Sequence, residues 1–271
     1  MNNIEFNSAV KSFALSLEKL LNSKNKEWII KGLISDENKI YSLNSDTKII
    51  SKLLEIQIFP NLLVFANKYD FQIVLAEHQN FYPDISFVYK KNNKIKYALD
   101  IKTTYRKNEK ACNGFTLGSH GKYFIERDSK KNIQFPYSEY QAHYCLGIIY
   151  DRAILKAEDQ NQIYSIKEIS KIKSVIKNFS IFCCEKWKLA SDKGGSGNTA
   201  NIGSINNIEN IINEKGMFHL LGIDWFDQYW MNYNKEIYDK KSKSNVKIKD
   251  LLTFVKIKNG DVSKIFYKKN K

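Results

Sequence analysis

Arginine is almost missing from this chain. Of its 43 basic residues only Arg106, Arg127 and Arg152 are arginine; the rest are lysine. Arginine is the commonest bidentate reader of guanine edges, so any base reading here must fall mainly to other groups. Cysteine is scarce too. Cys112, Cys145, Cys183 and Cys184 contain no Cys-x-x-Cys pair, which excludes a disulfide framework or a zinc ribbon and points to free thiols in a reducing, cytoplasmic setting. Three prolines, no Pro/Ser-rich linker and no internal repeat argue against a chain of small modules. No run reaches the roughly 18 uninterrupted apolar residues of a membrane helix. Met1 to Phe6 carries no basic stretch leading into an apolar one, so neither a membrane span nor a secretory signal is expected.

What is present suffices for a core. Apolar residues make up 43% and aromatics 13% of 271 residues, enough for one large domain or two small ones. The net charge of +14 is uneven, because residues 240–271 hold eleven lysines against two aspartates. Such a tail suits a polyanion or serves solubility. A main domain over residues 1–244 with a lysine-rich C-terminal extension over 245–271 is the expected division.

Apolar spacing predicts a helix from Phe6 to Leu21, whose stripe could face a core or a second subunit. Asp46-Thr47 predicts the cap of another helix from Lys48 towards Asp70, with a kink or a fresh start at Pro60. Strands are expected over residues 71–76, 85–89 and 96–101, the last two joined by a turn at Lys91-Asn92-Asn93-Lys94 with positive φ. Residues 140–150 form a dense apolar run, strand or helix, and 181–187 a further strand. A polar loop from Ser191 to Ser204 and helices over 205–215 and 223–240 complete the pattern. The class is α/β in the mixed α+β sense, a central mixed sheet flanked by helices.

Pro83-Asp84, then fifteen residues, then Asp100-Ile101-Lys102 is the first chemical signal. Folding the hairpin brings the two acids together, and Asp100 and Lys102, two apart in a strand, share a face. Two adjacent carboxylates repel unless a cation intervenes, and a hard divalent ion such as Mg²⁺ suits oxygen donors. Such a centre can hydrolyse phosphodiesters, with the lysine steadying developing charge. The bland alternative is a turn cap and an exposed ion pair. The second signal is Gly194-Gly195-Ser196-Gly197-Asn198-Thr199-Ala200-Asn201. It lacks the Gly-Lys-[Ser/Thr] ending of a P-loop, and no helix opens directly on its weak dinucleotide-type match. Glycines that admit close backbone approach, with Asn198, Thr199 and Asn201, would suit base edges.

Beyond these two signals, Ser45-Asp46-Thr47-Lys48, Gln79-Asn80, Tyr82-Pro83-Asp84, Asp100-Ile101-Lys102-Thr103-Thr104-Tyr105, Phe115-Thr116-Leu117-Gly118, Lys131-Asn132-Ile133, Gly195 to Thr199 and Asn201-Ile202-Gly203-Ser204 stand in a fixed order. Together they resemble the EcoRV family of type II restriction endonucleases, within the PD-(D/E)xK nuclease superfamily. The resemblance implies a restriction-endonuclease-like fold, a homodimer on double-stranded DNA formed in part by the N-terminal helix, and Mg²⁺-dependent cleavage. It implies Asp84 and Asp100 as metal ligands, Lys102 as the catalytic lysine and Glu55 as an acid near the metal. Gly195, Ser196, Gly197, Asn198, Thr199 and Asn201 would form a major-groove loop, and Gln79 and Asn80 a minor-groove loop. Thr47, Lys48, Ser51, Lys131 and Arg152 would contact the DNA as well. The implied target is GATATC, cut at its centre to blunt ends with 5′-phosphate and 3′-hydroxyl, with a methyltransferase guarding host sites. A catalytically silent DNA-binding protein on the same scaffold is the alternative. Phe81 stands where the family pattern has a histidine, His78 where it has a glutamine, and Ser119 to Lys131 carries extra residues.

Overall fold

The computed structural model describes residues 1–78, 80–195 and 198–266, and of Ala157, Asn198 and Thr199 the backbone alone. Gln79, Ser196 and Gly197, named above as candidate DNA contacts, therefore lie outside the described residues, as does the end of the tail from Tyr267 onward.

Helix α1 (Asn3–Leu21) opens on a capping box in which Asn2 and Glu5 satisfy each other's backbone N–H groups. Its stripe of Phe6, Ala9, Val10, Ala14, Leu17 and Leu21 is buried within the chain itself. Of the two settings open to this stripe, core or second subunit, it takes the core. Two short strands, β1 (Gly32–Ile34) and β2 (Lys39–Ser42), lead to α2 (Thr47–Lys68). Asp46 caps α2 by accepting from the N–H groups of Lys48 and Ile49. Pro60 neither ends nor restarts this helix. The carbonyl its missing N–H leaves free belongs to Ile56, whose side is exposed, so water can satisfy it. By length and composition α2 could cross a membrane, with a mean hydropathy of 1.6. Here Ile50, Leu54, Ile58, Leu62, Phe65 and Ala66 pack it on the sheet instead.

The central sheet follows: β3 (Phe71–Leu75), β4 (Ile85–Tyr89) and β5 (Lys96–Tyr105), then, after β6 (Thr116–Ser119) and the one-turn α3 (Lys122–Ile125), the long β7 (Tyr140–Arg152). A third short strand, β8 (Ile163–Ser165), joins β1 and β2 in a small sheet of order β1-β2-β8, and β9 (Ile176–Glu185) closes the main one. The main order is β3-β4-β5-β7-β9, antiparallel except for the parallel β5–β7 pair. This is the expected mixed sheet in a mixed α+β domain. Residues 140–150 are settled as strand because both neighbours are strands and both faces are covered, so no polar alternation is needed. Gly147 on β7 is fixed by packing: a Cβ there would fall 2.0 Å from the Phe182 ring directly opposite on β9. The β4–β5 turn closes without positive φ; Asn92 instead accepts the Lys94 N–H on its side chain at 3.1 Å.

The chain then differs from expectation. Ser191 to Ser204 is not an open loop but a hairpin, β10 (Ala190–Gly195) and β11 (Asn198–Ser204), laid on β6 in the order β10-β11-β6. Helix α4 (Ile208–Ile212) is a short remnant of the expected 205–215 helix, and α5 (Ile223–Asn232) stops eight residues short of 240. A hairpin of β12 (Glu236–Asp239) and β13 (Ser244–Lys247) follows, then α6 (Leu251–Ile257). The boundary expected at 244/245 therefore cuts through a strand. The tail is no loose extension: Ile248, Leu251, Phe254 and Val255 are all fully buried. Lysines among these apolar positions hid a helix whose inner face holds the core.

Two apolar clusters cover the two faces of the sheet. α1 and α2 pack on one through Leu99, Ile101, Leu146 and Ile148; α3 to α6 and the β10–β11–β6 layer pack on the other through Ala98, Cys145, Ile149 and Cys184. All four cysteines are free and buried, as expected. Burial pushes each thiol up, Cys145 to about 12 and Cys183 and Cys184 further. In the unfolded chain they would ionise near 9.0, so the stability they hold is intact below that pH and is lost as pH rises above it.

Two outcomes are expected. Phe254→Ala should lower the unfolding free energy by about 3–5 kcal/mol in urea titrations, and ending the chain at residue 244 should abolish a cooperative melt; a cooperative truncated protein would contradict the packed tail. The urea midpoint should fall between pH 8 and pH 10, and less steeply in a Cys183→Ala/Cys184→Ala double variant. Equal slopes would remove the thiols as its cause.

Candidate active site

The β4–β5 register builds the site. Ile85 pairs with Leu99, so the next step along the ladder sets Asp84 opposite Asp100. Asp84 N–H donates to Asp100 Oδ1 at 3.2 Å, and Ile101 N–H donates to Asp84 Oδ2 at 2.7 Å. Lys102, two residues along β5, places Nζ 3.2 Å from both Asp84 Oδ2 and Asp100 Oδ2. One ammonium thus bridges two carboxylates. The segment ahead of Asp84 is held by Tyr82, whose N–H donates to Asn132 O at 3.1 Å and whose carbonyl accepts from Gln134 N–H at 2.8 Å.

Asp100 is nearly buried, whereas the Asp84 side chain is 37% exposed. Burial raises the Asp100 pKa; Lys102 opposes that rise, Asp84 adds to it and Lys186 opposes it. For Lys102 burial acts downwards, but the two carboxylates outweigh it, and the pKa stands above the usual lysine value. This is the expected consequence of crowding like charges in a partly desolvated place: the pair must hold a cation.

The cleft over these side chains has a volume of 370 Å³. Asn80, Lys131 and Asn201 line it with Asp84, Asp100 and Lys102, so three of the expected DNA contacts are brought to the carboxylates. Thr116, Gly118 and Asn132, from stretches that carry the resemblance, also line it, as do Lys122 and Ser119, which had no assigned role in the sequence. Asn201 arrives there because β11 pairs with β6: Asn201 faces Ser119 and Gly203 faces Thr116. A Cβ on Gly203 would lie 2.6 Å from the Lys193 carbonyl, so only glycine lets β10 and β11 approach this closely. Gly195 is buried against Thr116, and Gly195 pairs with Asn198 across the hairpin end.

Other candidates are not gathered into this cleft. Thr47 and Lys48 sit exposed at the start of α2, with Ser51 one turn on. Arg152 stacks over the Tyr105 ring at 3.7 Å, in a separate groove of 1050 Å³ that Lys31, Arg106, Lys107 and Lys177 also line. Glu55 does not join the two aspartates: it is paired with Lys52 at 2.8 Å, and among the described residues no group of three acidic, histidine or cysteine side chains converges on a metal position. Its helix position is correct but its carboxylate is taken; Lys52 is in turn within the field of Asp84.

Sequence reasoning also missed the charged and aromatic residues beneath the site. Lys186, just beyond β9, is 3% exposed and its Nζ has no hydrogen-bond partner. His143 is buried with Nδ1 3.0 Å from the Tyr82 hydroxyl, and the Tyr137 ring stacks on it at 3.6 Å. Burial, with Lys186 and Arg127 nearby, drives the His143 pKa far down, leaving a neutral ring. Nothing local marked Lys186 among forty lysines.

The chain matches the family model described as restriction endonuclease EcoRV over residues 24–259. It is 34% identical over 226 residues to the type II restriction enzyme EcoRV of Escherichia coli, a match covering 83% of this chain and 90% of that protein. Among solved structures, the NlaIV restriction endonuclease aligns over 90% of this chain and 94% of its own with a TM-score of 0.41 and 13% identity. A family match over residues 24–259 and 34% identity across most of both sequences settle the relationship: this chain belongs to the EcoRV family of type II restriction endonucleases.

Proposed function

We propose that the protein hydrolyses phosphodiester bonds of double-stranded DNA at a palindromic site, GATATC, as a Mg²⁺-dependent homodimer, leaving blunt ends with 5′-phosphate and 3′-hydroxyl. The observation that carries this reading is the convergence of Asp84, Asp100 and Lys102, with one cation already held 3.2 Å from an oxygen of each acid. A donor set of two carboxylate oxygens open to a cleft fits a small hard dication, which Asp84 and Asp100 would hold. When bound there, Mg²⁺ would polarise the scissile phosphate and acidify a coordinated water.

The chain's own residues account for the rest. Asp84 and Asp100 hold the ion and set its position along the DNA. Lys102 Nζ donates to the negative charge that grows on the phosphate oxygens as the water oxygen bonds to phosphorus and the P–O3′ bond breaks. Asn80, Lys131 and Asn201 line the same cleft and would touch the duplex near the cut. The β10–β11 hairpin would enter the major groove, and because it rests on β6, which also lines the catalytic cleft, reading and cutting share one strand. Gln79 would belong with Asn80 to the minor-groove contact, Thr47, Lys48, Ser51 and Arg152 to the phosphates. The hexamer itself rests on the loop Gly195 to Asn201 alone.

A palindrome calls for a two-fold dimer with one hairpin per half-site. The exposed apolar side chains Leu33, Ile34, Tyr41 and Ile163 on the small β1-β2-β8 sheet support self-association. A cognate methyltransferase follows from the restriction reading. The silent-binder alternative loses ground because the acid pair and lysine are all in place.

Asp100→Ala should retain binding to a GATATC duplex and lose at least ~10³-fold in Mg²⁺-dependent cleavage, and Lys102→Ala about 10²–10³-fold. Near-normal cutting by Asp100→Ala would remove the assignment. Asn198→Ala should forfeit about 1–3 kcal/mol of discrimination between GATATC and single-mismatch sites in competition binding. Unchanged discrimination would sink direct reading by the hairpin, and digestion of DNA of known sequence would show which hexamer, if any, is cut.

A further inference from the structure

Lys186 is the anomaly of this fold. It is 3% exposed, and its Nζ is a buried donor without a hydrogen-bond partner. Burying an unpaired ammonium is costly, and an apolar side chain of the same length would fill the space better. Buried polar groups of this kind call for an explanation beyond packing. The ammonium is tolerated because aromatic faces surround it: Nζ lies 4.7 Å from the Tyr82 ring centre, 4.8 Å from Tyr137 and 5.4 Å from Phe124. Each ring comes from a segment bordering the catalytic cleft, and Tyr82 stands two residues before Asp84.

Resting on the nuclease reading above, we infer that Lys186 is a positioning residue of the centre. Its caged ammonium holds the Tyr82 ring that leads into Asp84 and serves, with Lys102, as the internal counter-charge of the Asp84–Asp100 pair. The electrostatics agree. Burial drives the Lys186 pKa down to about 7, Asp100 and Asp227 pull it back up, and Arg127 and Lys102 push it down. Reciprocally, Lys186 favours the ionised form of Asp100. The charged or titratable groups facing it are thus Asp100 and Lys102 on β5, Asp227 on α5, Arg127 after α3 and neutral His143 on β7. Arg127 is itself committed to Asp227 at 2.9 Å and to the Tyr137 face.

The test compares wild type, Lys186→Met and Lys186→Arg as full-length proteins, with thermal melts, calorimetric titration with Mn²⁺ alone at pH 6.5 and single-turnover cleavage in Mg²⁺. Removing the counter-charge leaves the acid pair net negative. Lys186→Met should therefore bind Mn²⁺ about ten-fold more tightly yet cleave at least ten-fold more slowly, because Tyr82 and Asp84 lose their anchor. Lys186→Arg, which keeps the charge, should retain wild-type Mn²⁺ affinity. Wild-type Mn²⁺ affinity and cleavage in a folded Lys186→Met would overturn the inference. If Lys186→Met does not fold, Lys186→Arg decides: wild-type Mn²⁺ affinity and cleavage support the inference, and loss of both with an intact melt overturns it. If wild type itself cuts no duplex, the nuclease reading falls, while the Mn²⁺ titrations still decide the counter-charge role.

Discussion

One constraint organises this protein: two carboxylates must be held close together in a partly buried place without flying apart. The β4–β5 ladder supplies the closeness, because Ile85 opposite Leu99 forces Asp84 opposite Asp100. Backbone N–H groups of Asp84 and Ile101 and the Lys102 ammonium supply the compensation. Like charges at this separation would otherwise shift towards neutrality. The molecule thus keeps an arrangement that is poor for stability and good for gripping a dication, and the sheet on both sides of β5 has to be rigid enough to enforce it. The parallel neighbour β7, covered on both faces, provides that rigidity.

The second constraint is mechanical. The β10–β11 hairpin is laid on β6, whose residues line the carboxylate cleft, so hairpin and cleft are held at a fixed distance from each other. The base of that hairpin is tied from the other side by the C-terminal segment: Asp192 accepts from the Leu251 N–H at the start of α6, and its carbonyl accepts from the Tyr229 hydroxyl at 2.7 Å. The segment around α6 is therefore a brace for the β10–β11 hairpin. Its charge faces outward while Leu251, Phe254 and Val255 face in.

The shortage of arginine acquires a structural meaning. Arg106 is spent inside the fold on Asp151, the Asn178 carbonyl and Ser180. Arg127 is spent on Asp227 and on the Phe124 and Tyr137 rings. Only Arg152, stacked on Tyr105, is exposed among the three. Two of the three guanidinium groups thus serve where a planar, persistently charged fork is needed to lock the fold.

The sequence by itself determined the parts with local causes. The capped helices α1 and α2, the β4–β5 hairpin and the Asp84, Asp100, Lys102 constellation were legible because apolar period, capping residues and a strand's two-residue repeat are encoded in neighbours. Tertiary structure decided what depends on distant partners. It made Ser191 to Ser204 a hairpin, since β6 pairs with it, and turned the tail into a packed helix. It carried Lys186 into an aromatic cage. A residue's charge is written in the sequence, but the burial and the partners that set its work come from segments up to a hundred positions away.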